Sequence, residues 1–302
     1  MTTRLYSSDD VGAPAHSGTT LGQVLTIIRA CLVDGYGTRT AAGWTMPFSD
    51  LPNNKAVFRG QSGLGDYFRV DDNFNYEWSE VTGFATMSDV DTGAEQYPTI
   101  GGGANDTVTD WKMPNRDSNN ALYDAWYVIA NEEFCYVIFR ATNTYRACFF
   151  FGEYEKINPT STVPNQIVIG NATTAINISA ALVEYSFFRG SETNDRTYQR
   201  RNHWNDVNRN TRLYMEYSTT PYTQPNPVDG KFYFHRVKLR DRDNTPYAIW
   251  GHMPDVIVMN DGGSEEAFNP IGDRLVVNGD NYMVAKTANG YVWGWRYDLD
   301  VG

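Results

Sequence analysis

The chain has 302 residues and a formal charge of −11, with a pI near 4.8, so its long-range field repels nucleic-acid phosphate and anionic lipid and argues against genome binding or packaging. Aromatic residues make up 14% of it beside 26 Gly and 13 Pro, a balance that favours short strands and many turns over helices. The three cysteines, Cys31, Cys135 and Cys148, are too few and odd in number for a disulfide framework, and no apolar run approaches the ~20 residues of a membrane span.

In chain order, Leu21, Val24, Leu25, Ile28, Cys31 and Leu32 recur at helical spacing. They predict one amphipathic helix over 20–34, capped by Thr19 or Thr20 and closed by Gly35. Runs at Lys55–Arg59, Tyr67–Asp71 and Val81–Met87 predict a small antiparallel sheet covered by that helix. Residues 91–120, with Gly101-Gly102-Gly103 and Asn119-Asn120, carry little periodicity and read as a long contact loop. Ala125–Ala130, Phe134–Ala141 and Tyr145–Phe151 are nearly continuous apolar runs, which predicts strands buried on both faces at the centre of the molecule. Within them the three thiols are expected free and buried, and a hairpin lets Cys135 and Cys148 face each other.

Ile167–Ile169 and Ala180–Phe188 extend this block. A polar stretch follows in which Arg196, Arg200, Arg201 and Arg209 interleave with Asp195 and Asp206, as a mixed-sign contact face or a solvated loop. The last third predicts strands at Leu213–Tyr217, Lys231–Leu239, Ala248–Gly251 and Val256–Met259, then a meander of Leu275–Val277, Tyr282–Lys286 and Tyr291–Tyr297. Its turns are Asn278-Gly279-Asp280 and Asn289-Gly290. Alternation puts Tyr291, Trp293 and Trp295 on one strand face, for core packing or for a ligand. The expected fold is mainly β, antiparallel sheets in a sandwich- or barrel-like arrangement with one N-terminal amphipathic helix. It divides into an α+β docking lobe over 1–120 and a β-rich lobe over 121–302, or forms one domain.

Catalytic signals are sparse. His16, His203, His235 and His252 stand in no metal-binding spacing. Asp89 to Gly93 and Asp71-Asp72-Asn73 resemble the start of calcium loops, but in the first of these Ile100 occupies the position that needs a glutamate, so a local turn is the better account, with a weak calcium site as the alternative. Gly60 to Gly65 has the glycines of a phosphate loop without a following helix, and Asp66 would repel phosphate, leaving a flexible turn. Glu132, Glu133, Glu153, Glu155, Glu265 and Glu266 qualify as paired acids only generically. No catalytic residue, metal ligand or cofactor is expected, and the chain reads as a non-enzyme.

The ordered fragments Ser8 to Gly18, Ala30 to Gly37, Ala41 to Thr45, Asn54 to Arg59, Phe68 to Asp72 and Met87 to Gly93 resemble a group of uncharacterised structural proteins of tailed bacteriophages. Weaker echoes lie at Trp126 to Ala130, Phe149 to Glu153 and Pro225 to Gly230. The resemblance implies a virion protein, made in the host cytoplasm, in a capsid decoration, a head–tail connection or a tail part. Its expected partners are copies of itself, as a homo-oligomer, and other virion proteins, with no nucleic acid or membrane. Trp44, Trp250, Tyr291, Trp293, Trp295, Arg200 and Arg201 are the candidate contacts. The alternative is a virion-borne carbohydrate-binding module for host glycan, which needs exposed tryptophans.

Overall fold

The computed structural model describes residues 1–17, 19–73, 78–97, 111–114, 123–141, 146–161, 164–169, 198–200, 213–216, 234–241, 249–260, 273–286 and 291–299. The chain opens with β1 (Arg4–Ser7) and α1 (Gln23–Arg29). A first group of strands follows: β2 (Thr45–Asp50), β3 (Lys55–Arg59), β4 (Tyr67–Asp71), β5 (Trp78–Asp89), β6 (Thr92–Tyr97) and β7 (Trp111–Pro114). Next come β8 (Tyr123–Ala130), β9 (Phe134–Ala141), β10 (Arg146–Glu153), β11 (Glu155–Lys156), β12 (Gln166–Ile169) and β13 (Tyr198–Arg200). The last are β14 (Leu213–Glu216), β15 (His235–Asp241), β16 (Ile249–Asn260), β17 (Asp273–Val277), β18 (Asp280–Lys286) and β19 (Tyr291–Tyr297).

These strands form three antiparallel sheets, as expected of a mainly β chain. A middle sheet runs β1-β8-β9-β10-β12-β13. An N-terminal sheet runs β2-β3-β4-β5-β6 with β7 on β5, and a C-terminal sheet runs β14-β15-β16-β19-β18-β17 with β11 on β16. Alternation along the middle strands feeds two cores. Trp126, Val128, Cys135, Val137, Phe149 and Phe151 pack against Phe58, Phe68 and Val70 of the N-terminal sheet and against Val24, Ile27 and Ile28 of the helix. Tyr127, Ile129, Tyr136, Ile138, Cys148 and Phe150 pack against Val237, Met253, Met283, Trp293 and Trp295 of the C-terminal sheet. The apolar runs of the sequence are therefore central and buried on both faces. The first core joins residues 6 to 168 across the expected boundary near residue 120.

Several expectations are corrected. The helix is shorter than 20–34: after Arg29 it widens into a π turn over Ala30–Asp34, which Gly35 closes at φ 75°. Its N-cap is Gly22 rather than a threonine, with no side-chain cap of its own. The helix amides turn instead to a remote acid: Asp72, buried at the end of β4, accepts from Val24 N at 2.9 Å and Leu25 N at 3.2 Å. The 91–120 loop contains β6 and β7, because each finds a partner in β5 that its own short sequence does not advertise; residues 98–110 and 115–120 lie outside the described residues.

The runs at Ala248–Gly251 and Val256–Met259 are one strand, β16, carried through Pro254 by a bulge. Arg236 pairs with Ile257 and Lys238 with His252, and Asp255 takes a left-handed φ of 50°. Cys135 and Cys148 do not face each other, since they pair with Phe151 and Ile138 and point into different cores. All three thiols are free and buried, as expected. The Asn278-Gly279 turn joins β17 to β18. Ala180–Phe188 and the Asn289-Gly290 turn lie outside the described residues.

Candidate functional site at the junction of the three sheets

One cleft of about 380 Å³ opens where all three sheets meet. The N-terminal sheet contributes Gly63 and Leu64 from the β3–β4 turn, and the middle sheet contributes Glu133 from the β8–β9 turn and Glu153 at the end of β10. Glu155 and Lys156 of β11 and Pro254 of β16 also line it.

The turns are built locally. The Asn131 side chain accepts from the amides of Glu133 (2.8 Å) and Phe134 (3.2 Å), which turns the chain and sends Glu132 outward and Glu133 toward the cleft. The glycine-rich turn after β3 is pinned rather than flexible. The Leu64 amide donates to Glu153 Oε1, and Gly63, at φ 68°, leaves no room for a Cβ beside that oxygen.

Glu153 is thereby occupied. Its second oxygen accepts from Asn165 Nδ2 at 3.0 Å, and Gln166 Nε2 approaches the first at 3.3 Å. Glu155 is engaged by the Arg236 guanidinium. Glu133 differs: burial, then the Glu153 and Glu132 carboxylates, raise it above the usual glutamate range, and the Ser62 hydroxyl offsets part of this. The cleft can therefore take up a proton at Glu133 while Glu153 acts as a latch between sheets. Among the described residues no group of three or more His, Cys, Asp or Glu side chains could hold a metal ion. Asp72 is spent on the helix, and Asp91 pairs with Lys55 at 3.1 Å. Burial pushes the Cys135 thiol up to about 12 and the other two well above their usual value, so none is a ready nucleophile.

The expected contact residues fare unevenly. Trp293 and Trp295 are fully buried between the middle and C-terminal sheets, because the alternation of β19 turns their face inward, and they offer no platform to a sugar. Trp44 is also core: 4% exposed, it donates from Nε1 to the Asn131 carbonyl at 2.6 Å. Trp250, Tyr291 and Arg200 lie on β16, β19 and β13, with side chains outside those described, and Arg201 lies outside the described residues. Of the acids named from the sequence, the fold brings Glu133, Glu153 and Glu155 together, while Glu265 and Glu266 lie outside the described residues. Asn165 and Gln166, which hold Glu153, carried no signal in the sequence.

Compared with protein-family models and with curated proteins, the chain matches none.

Proposed function

We propose that the protein is a structural component of a tailed-phage particle that works through protein–protein contacts. The observation that carries this reading is where the phage-like fragments fall: they converge on one framework. Asp10 accepts from Arg39 Nη2 at 2.6 Å and from the Tyr36 hydroxyl at 2.9 Å. Gly37, at φ 54°, packs its backbone on Val11 with no space for a Cβ. Trp44 reaches Asn131, and Asp72 caps the helix.

Fragments that resemble a protein group in their order and are spent here on scaffolding support the reading of a common body, with the role carried by its surfaces. The burial of Trp293 and Trp295 also takes away the strongest feature of the glycan-binding alternative. On this reading the protein is made in the host cytoplasm and joins copies of itself and other virion proteins.

The test is mass spectrometry of gradient-purified particles. A fixed copy number relative to the major capsid protein is the expected result. Absence from particles that assemble in its presence would overturn the proposal.

A further inference from the structure

The C-terminal sheet ends in β17, and this edge is built unlike those of the N-terminal sheet. There, edge strand β2 carries Pro47 and a register shift between Thr45 and Phe48. Edge strand β6 carries left-handed Glu95 and an irregular register against β5. Such devices stop an edge from pairing further. β17 has no proline and pairs with β18 without a shift, from Asp273 opposite Val284 to Val277 opposite Asp280, and its one such device is the inner-face charge of Arg274. Among the described residues no strand lies on its other side.

The turn decides which groups face outward. Asn278 (φ 53°) and Gly279 (φ 93°) form a two-residue turn of type I′. Its closing pair, Val277 and Asp280, exchanges both backbone hydrogen bonds. By alternation Leu275 and Asp273 also bond to β18, and the N–H and C=O groups of Arg274 and Val276 point to the open edge.

The side chains tell the same story. Arg274 lies opposite Met283 and so shares the inner face of the sheet. Met283 is buried against the middle sheet, whereas Arg274 is exposed and Val276 is 65% exposed. The C-terminal sheet overhangs the middle one here, leaving Val276 exposed beside backbone groups that have no partner strand among the described residues.

We propose that β17 pairs antiparallel with β17 of a second copy across a two-fold axis, fusing two C-terminal sheets into one. A register centred on Val276 sets it against its own counterpart and Leu275 against Val277 of the second copy. Arg274 then meets Asn278. Apolar residues meet apolar residues and no like charges stand opposite each other. Asp273 and Arg274 cancel within the strand and Asp280 after the turn leaves one negative charge per copy, so two chains of net charge −11 meet at a patch of low local charge. The contact is self-complementary and closes at a dimer instead of growing into a filament. It deepens the assembly role proposed above and rests on that role only for its place in the particle.

The experiment is light scattering of the full chain over a concentration series, with Val276→Lys and Val276→Cys beside the wild type. The wild type is expected to approach twice 34.1 kDa. Val276→Lys, which brings two ammonium groups to the axis, is expected to weaken the dimer at least ~10-fold with an unchanged circular dichroism spectrum. Because the chain's own three cysteines are buried, the added thiol of Val276→Cys is the accessible one. A short bismaleimide should join it into a covalent dimer. A wild type that stays monomeric at every concentration overturns the proposal, as does an oligomer that Val276→Lys leaves intact and Val276→Cys fails to cross-link. Particle composition is read separately, so a monomer found in particles overturns the dimer and leaves the structural role standing.

Discussion

Arg296 of β19 grips Asp255 of β16 with two nitrogens, Nε to Oδ1 at 2.8 Å and Nη2 to Oδ2 at 3.3 Å. Its third nitrogen reaches Asp298 at 2.9 Å. The same two acids receive the start of the chain: the Thr3 hydroxyl donates to Asp255 at 2.6 Å and the Thr3 amide to Asp298 at 2.8 Å. One guanidinium thus organises the seam between β1 of the middle sheet and the C-terminal sheet, at the bulge where Asp255 is left-handed.

Arg296→Ala leaves two partly buried carboxylates facing each other and is expected to lower unfolding stability by about 1.5 to 3 kcal/mol. Arg296→Lys keeps the charge but not the fork and should recover less than half of that. Urea unfolding of both variants measures the difference.

Trp44→Ala removes a buried indole and strands the Asn131 carbonyl, with an expected loss of about 3 to 5 kcal/mol. Trp44→Phe keeps most of the packing and should cost about 1 to 2 kcal/mol for the lost hydrogen bond. Equal losses in thermal unfolding would mean that the bond, not the packing, dominates.

Asp72 caps α1 from another element and also accepts from Ser79 Oγ at 2.6 Å. Asp72→Ala is expected to cost about 2 to 3 kcal/mol, with the loss concentrated in the helix. Hydrogen exchange should show Val24 and Leu25 amides opening faster than those of β9. Uniform protection would contradict the capping role.

Glu133 titrates above its unfolded value of 4.5. The folded state therefore holds this proton more tightly than the unfolded state. Its stabilising contribution is complete below pH ~4.5 and is lost as pH rises through the raised folded value. Glu133→Gln, which mimics the protonated form, should be at least as stable as the wild type at pH 7. The stability difference between the two should shrink on acidification. A difference independent of pH would show that Glu133 is not the titrating group.

The sequence by itself determined the strand class, the central position of the three apolar runs and the buried state of the thiols, because burial on both faces demands continuous apolar stretches such as Phe134 to Phe139. Lys55–Arg59 and Tyr291–Tyr297 were legible to the residue because each is a short run rich in apolar residues between clear turn signals. Only the tertiary structure decided the rest. Whether Trp293 meets solvent depends on which face another sheet covers, and β6 is a strand because β5 lies beside it. Asp72 is a cap only because β4 ends at the helix. Glu153 is a latch because Leu64, 89 positions away in sequence, is brought to one of its oxygens. Periodicity records the exposure of one strand's faces; it carries no record of which distant element supplies the partner.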